Sequence, residues 1–235
     1  MSKISEIFYS LQGEGAYLGV PSVFVRFSGC NLRCIWCDTP FASWEAEGED
    51  KELFEILESI KKFPDFAHVV LTGGEPMLFP VIVELIDVLK EMGRTVTIET
   101  AGTIYRETKA DLISISPKLS HSTPSKAEFP KEAELHEKMR LKPSVLEKFA
   151  ADEESGKNTV QLKIVLRDES DWKEIEEVRV HFPNLARENV SIMPECRSKD
   201  EMDILLPRLA RLCMYKGFRL TSRLQVQIWG DKRGV

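Results

Sequence analysis

The chain has 235 residues, 43% hydrophobic and 30% charged, with a net charge of −6, a balance that suits one globular domain whose core needs no disulfide staples. The acidic surplus excludes the electrostatic footprint of a nucleic-acid binder, so the expected partner is a small molecule. Three of the five cysteines share one loop, no apolar run reaches membrane-span length, and MSKISEIFYS lacks a signal-peptide layout, so no membrane and a cytoplasmic location are expected.

Residues 4–10 alternate weakly as a strand through Ile4, Ile7 and Tyr9, followed by a turn through Gln12-Gly13-Glu14-Gly15 whose glycines let backbone approach a ligand. Ser22 to Ser28 is a stronger strand, with Val23, Val25 and Phe27 on one face. Its end delivers GCNLRCIWCDT, Gly29 to Thr39, in which Cys30, Cys34 and Cys37 form C-x3-C-x2-C. A closed structural zinc site and a fully protein-held iron–sulfur cluster each take four protein ligands, so three cysteines leave one metal corner open. The cysteines alone also admit a zinc loop or three unpaired thiols. Asn31 and Arg33 are expected to aim loop amides at the sulfurs.

After a polar link through Glu45 to Asp50, the spacing of Leu53, Phe54, Ile56, Leu57 and Ile60 predicts a helix ended by Pro64. His68 to Thr72 is a buried strand running into Gly73-Gly74-Glu75-Pro76, Val81 to Met92 a helix stopped by Gly93, and Thr95 to Glu99 and Leu112 to Ser116 are further strands. Alternation of strand and helix predicts a parallel sheet with crossover helices and ligands at the carboxyl ends of the strands. Four motif-bearing turns fall there: the cysteine loop, GGEP, Glu99-Thr100 and Ser116-Pro117-Lys118. From Pro124 to Lys157 the chain is charged and poorly periodic, and KEAELHEKMR reads as a solvated helix with no chemistry. Gln161 to Leu166 and Asn189 to Met193 read as strands, Glu169 to His181 and Ser198 to Met214 as helices, with a last apolar stretch around Leu224, Val226 and Ile228. Cys196 and Cys213 have no metal-like neighbours and read as core or surface thiols. Residues 1–235 are expected to form one domain, with a variable charged segment at about 124–157.

The three-cysteine loop, with aromatic Trp36 before Cys37, resembles that of the radical S-adenosylmethionine (SAM) superfamily. The resemblance implies an open, abbreviated parallel β/α barrel in which Cys30, Cys34 and Cys37 hold a 4Fe-4S cluster whose fourth iron chelates SAM. Trp36, Cys37, Asp38, Gly73, Gly74, Glu75, Glu99, Ser116, Pro117, Lys118 and Gln161 would then surround the cofactor. SLQGEG at 10–15, SGCNLRCIWCDT, LTGGEP at 71–76, ETAGT at 99–103, SPKLSHSTP at 116–124, QLKIV at 161–165, MPE at 193–195 and WGDKRGV narrow the likeness to the 7-carboxy-7-deazaguanine synthase family. Such enzymes convert 6-carboxy-5,6,7,8-tetrahydropterin to 7-carboxy-7-deazaguanine and ammonia on the route to queuosine, with SAM regenerated and magnesium required.

Carried over by motif, Leu11, Gln12, Gly13 and Glu14 would meet the aminopyrimidinone edge of the pterin, Arg26 its carboxylate, Thr72 and Gln225 other substrate atoms, and Thr39 the magnesium. The resemblance also implies a homodimer and a flavodoxin or ferredoxin as reductant. Gln225 and Ala101 depart from family members with His and Asn at the corresponding places: glutamine keeps hydrogen bonding but loses proton transfer, and alanine removes one polar contact. Rival readings are another radical SAM enzyme, such as a glycyl-radical activase or one acting on a different heterocycle, and a noncatalytic zinc or redox module.

Overall fold

The computed structural model describes residues 1–235, the Glu169 side chain excepted. In chain order the elements are β1 (Ser2–Leu11), β2 (Pro21–Phe27), α1 (Pro40–Ser43), β3 (Glu49–Lys51), α2 (Leu53–Ile60), β4 (His68–Gly73), α3 (Val81–Glu91), β5 (Val96–Thr100), β6 (Leu112–Ile115), α4 (Pro130–Met139), α5 (Pro143–Glu154), β7 (Thr159–Leu166), α6 (Trp172–Arg179), β8 (Val190–Pro194), α7 (Lys199–Lys216), β9 (Arg219–Leu220) and α8 (Leu224–Trp229). The strands form one sheet in the order β3-β1-β2-β4-β5-β6-β7-β8-β9. That linear order leaves two edges, so the barrel is open, as the sequence led one to expect. No helix among the described residues is long and apolar enough to cross a membrane.

From β2 to β9 every neighbouring pair is parallel. Their apolar residues interlock with the helices in one core, Phe27, Leu71, Ile98, Ile113 and Ile164 packing in the same cluster as Ile56, Ile60, Ile82, Leu85 and Leu89. The expected parallel sheet with crossovers is present from β2 onward, and β1 adds to it by pairing antiparallel with both β2 and β3. Residues 12–20 are too few for a crossover, which takes a dozen or more, so the chain can only turn back. As a consequence Leu11 lies opposite Pro21, and the Gln12–Gly15 turn starts from the end of the sheet opposite to the cysteine loop.

The charged segment also differs from expectation. It forms two helices, and α5 places Leu146, Phe149 and Ala150 in the core. Helix α4, read as solvated, buries Ala133 and His136 completely. Its polar composition concealed this, because a stripe of one alanine and one histidine makes almost no hydrophobic pattern.

Candidate active site

Gly73 and Gly74 fix how the cysteine loop meets the sheet. Gly73 has φ of 141°, and a Cβ there would lie 2.1 Å from the Phe27 carbonyl oxygen. At Gly74 a Cβ would meet the Gly29 and Ala42 carbonyl oxygens at 2.2 and 2.5 Å. Only glycine lets these backbones approach so closely. The Gly74 and Glu75 amides donate to the carbonyls of Phe27 (3.0 Å) and Gly29 (2.9 Å), which bolts the GGEP turn to the residues preceding Cys30. Glu75 lies wholly inside, accepting from the Met77 amide (3.1 Å), the Thr100 hydroxyl (2.8 Å) and the Ala101 amide (2.8 Å). Burial holds its carboxyl above the ordinary range even so.

Cys30, Cys34 and Cys37 all line one cavity of about 230 Å³. The loop is braced from several sides: Asn31 pairs with Thr103 at 3.0 Å, and the Arg33 guanidinium donates to the carbonyls of Cys30 (2.8 Å) and Leu32 (2.7 Å). One amide reaches a sulfur, Leu32 N–H to Cys30 Sγ at 3.4 Å, but it belongs to neither residue expected to do this: the Asn31 side-chain amide goes to Thr103 and the Arg33 amide to Nδ1 of His136. Ser43 Oγ lies 3.1 Å from Cys37 Sγ. Burial pushes the thiols of Cys30 and Cys34 up to about 12; a metal bonded to sulfur displaces such protons. Among the described residues no three His, Cys, Asp or Glu side chains converge as the ligand set of one ion. Three thiols lining one cavity, with no fourth protein ligand beside them among the described residues, are the donor set of a cube that keeps one iron open. The donor set therefore fits a 4Fe-4S cluster.

Lys118 is tethered to Ser116, its ammonium donating to the carbonyl at 2.8 Å and to the hydroxyl at 2.7 Å, and it stands 5.7 Å from the centre of the Trp36 ring. The indole stacks on His121 at 5.7 Å, and its Nε1 is buried without a partner. Thr39 precedes α1 and makes no cap bond; its hydroxyl lies 3.8 Å from Cys37 Sγ, on the wall of the same cavity.

Across the cavity lies a charged network that pattern reading missed. Lys163, 4% exposed, reaches Glu14 at 2.7 Å and Glu99 at 3.0 Å. Arg223 bonds Glu14 at 3.1 Å, pairs with Asp38 and donates to the Cys196 carbonyl. Gln225 donates to Glu14 at 2.8 Å while its own Oε1 is buried and unpartnered. Burial alone would raise the Glu14 carboxyl, but Lys163 and Arg223 outweigh it and hold it well below the ordinary range. Burial would likewise lower the Lys163 ammonium, and Glu14 and Glu99 instead hold it above. Glu99 also accepts from Thr72 (3.0 Å) and Gln12 (3.3 Å). Arg26 is anchored through Nε to Glu6 at 2.7 Å, and no other nitrogen of its guanidinium bonds protein among the described residues.

Most residues expected at the site do face this cavity, from Leu11 through Glu14 on one side to Gly73, Gly74, Ser116 and Lys118 on the other. Glu75, Pro117 and Gln161 do not line it. Gln161 is buried and works on the turn, accepting from the Ala16 amide at 2.9 Å and donating to Ser114 at 2.8 Å. Ala101 lines the cavity, with only its amide engaged. Lys163 carried one usable signal, a cation inside the apolar strand QLKIV; Arg223 carried none.

A model of the radical SAM superfamily matches residues 24–177, in keeping with a three-thiol loop at the end of a strand in an open barrel. Those features define the class, a radical SAM enzyme. The 7-carboxy-7-deazaguanine synthase of Rhodopirellula baltica is 41% identical, the alignment covering 99% of this chain and 88% of that protein. For the enzyme of that name in Halobacterium salinarum the identity is also 41%, over 97% of this chain and 90% of its own length. The chain belongs to the 7-carboxy-7-deazaguanine synthase family. Its fold is also that of the crystal structure of QueE from Escherichia coli, with a TM-score of 0.68 over 95% of this chain and 94% of that one at 23% identity.

Proposed function

We propose that this chain converts 6-carboxy-5,6,7,8-tetrahydropterin to 7-carboxy-7-deazaguanine with release of ammonia, using SAM, a 4Fe-4S cluster and Mg2+. The observation that carries the reading is the junction, in one cavity, of three cluster thiols with the Glu14, Arg26 and Thr72 side chains of the family's motifs. Cys30, Cys34 and Cys37 hold the cluster, which with SAM supplies the radical that starts the ring contraction. Every other part of the chemistry assigned to the chain is orientation, charge and exclusion of water.

Arg26 takes the substrate carboxylate. Its Nε is fixed by Glu6, so the two terminal nitrogens form a preset fork for two oxygens. Glu14 is kept ionised and can only accept, which suits the adjacent N–H donors of an aminopyrimidinone. Gln225 lines the cavity beside it and steadies that carboxylate by donating at 2.8 Å. Lys118 places a cation where a carboxylate of SAM would be neutralised, and Thr39 offers its hydroxyl to magnesium, a hard ion that keeps water and substrate oxygens as its remaining ligands. Residues 1–235 act as one domain in this reading, the electron comes from a flavodoxin or ferredoxin, and the working unit is a cytoplasmic homodimer.

The test is anaerobic turnover of the reconstituted protein with SAM, magnesium, reductant and 6-carboxytetrahydropterin, followed by mass spectrometry. Product of the mass of 7-carboxy-7-deazaguanine with SAM undiminished is expected. SAM cleavage without that product would point to a different radical SAM substrate.

A further inference from the structure

Cys34 is the middle cysteine of the loop, and both amides beside it are taken by groups from a distant stretch of chain. The Arg33 N–H donates to Nδ1 of His136 on α4 at 3.1 Å, and the Ile35 N–H donates to the Ser122 carbonyl at 2.8 Å. The two acceptor residues are themselves joined, His136 Nε2 lying 2.8 Å from Ser122 Oγ. That hydroxyl donates its single proton to the Leu119 carbonyl at 2.6 Å, so towards His136 it can only accept. The imidazole therefore carries its proton on Nε2 and presents a bare Nδ1 to Arg33. One tautomer satisfies every bond, and both residues are fully buried. The loop that carries Ser122 begins at Ser116 and Lys118, so the same contacts set the span between Lys118 and Cys34.

We propose that His136 and Ser122 form a clamp that holds the two amides flanking Cys34 and so sets how firmly the cluster is retained. His136 is a positioning residue and touches no reactant. The proposal rests on the reading of the three cysteines as ligands. It also gives a role to α4, whose sequence suggested none.

Wild type, His136→Leu and His136→Asn are reconstituted anaerobically, and iron loss to a chelator is followed by the visible absorbance of the cluster. Exchange of the Arg33 amide is measured on the cluster-free proteins. Leucine keeps the bulk without a nitrogen, and Asn Oδ1 replaces Nδ1 as acceptor. An amide stranded without its acceptor corresponds to roughly 5- to 100-fold faster iron loss in His136→Leu, and Arg33 protection falls with it. His136→Asn is expected within about threefold of wild type, since its acceptor is kept. Iron loss at the wild-type rate in His136→Leu, or equal leakiness in both variants, would overturn the clamp. If His136→Leu does not fold, Ser122→Ala serves instead: it keeps the carbonyl bond but removes the acceptor that fixes the His136 tautomer, so Nδ1 is no longer held bare for Arg33; a several-fold faster loss is expected, and a wild-type rate refutes the proposal. Cys34→Ala separates this idea from its parent. A full cluster there would overturn the ligand reading and the clamp together, whereas a cluster-free Cys34→Ala with a tight His136→Leu would overturn the clamp alone.

Discussion

Replacing Lys163 by methionine keeps the stem of the side chain and deletes a cation set between two carboxylates, at 2.7 Å from Glu14 and 3.0 Å from Glu99. Glu14 would keep Arg223 at 3.1 Å and Gln225 at 2.8 Å, whereas Glu99 would keep only the neutral donors Thr72 and Gln12. Two carboxylates would then face each other on the wall of one cavity with no cation between them. Breaking a buried, hydrogen-bonded pair by removing one partner costs about 3–5 kcal/mol, and that is the loss expected near pH 8. The sign of the pH dependence should reverse. In the wild type the depressed Glu14 contributes stability that is present above its unfolded value of 4.5 and lost as pH falls through its folded value. In the variant the carboxylate pair takes up a proton in the native state, so the native form binds more protons than the unfolded one and stability rises as pH falls, by up to about 1.4 kcal/mol per unit. Urea unfolding of the cluster-free proteins between about pH 4 and 8 measures both quantities, and Lys163→Met/Glu99→Gln should recover most of the loss. A Lys163→Met protein within about 1 kcal/mol of wild type, with no reversed slope, would refute the reasoning.

Arg26→Ala should keep the cluster and SAM cleavage yet lose product formation by about 100-fold or more, the worth of a two-bond charged contact; equal loss of both activities would make Arg26 structural. Gly74→Ala should fail to hold a full complement of iron although its cysteines are intact, because its Cβ would stand 2.2 Å from the Gly29 oxygen; iron and sulfide analysis checks this. His68 is buried between Ser22 and Thr97, and burial lowers it from 6.5 to about 4. The unfolded chain therefore binds its proton first, and stability should fall as pH drops from 6.5 towards 4, by up to about 1.4 kcal/mol per unit. His68→Asn should flatten that slope, as denaturation at a series of pH values would show.

The strands β2 and β4 to β8 were legible because buried strands of a parallel sheet carry apolar runs such as VVL, and helices α2 and α3 because their apolar stripes are strong, whereas β3, the charged EDK, was read as part of a polar link. The direction of β1 was legible in principle from the short link after Leu11. Burial of His136 was not, because a lone histidine on a charged helix gives no period. The cysteine loop and GGEP announced themselves by residue type and spacing. The network around Glu14 did not, since its partners Lys163 and Arg223 lie 149 and 209 positions away and only folding pairs them. Glu75, a motif residue expected at the cofactor, spends its carboxylate on Met77, Thr100 and Ala101, which residue type alone does not reveal.

The central claim is that the polypeptide supplies three thiolates to a cube and leaves the fourth iron to SAM. Electron paramagnetic resonance of the anaerobically reconstituted, reduced protein tests it most directly, recorded with and without SAM. A 4Fe-4S signal whose g values move on addition of SAM is predicted. A signal indifferent to SAM, or protein that takes up zinc and no iron under those conditions, would contradict the account.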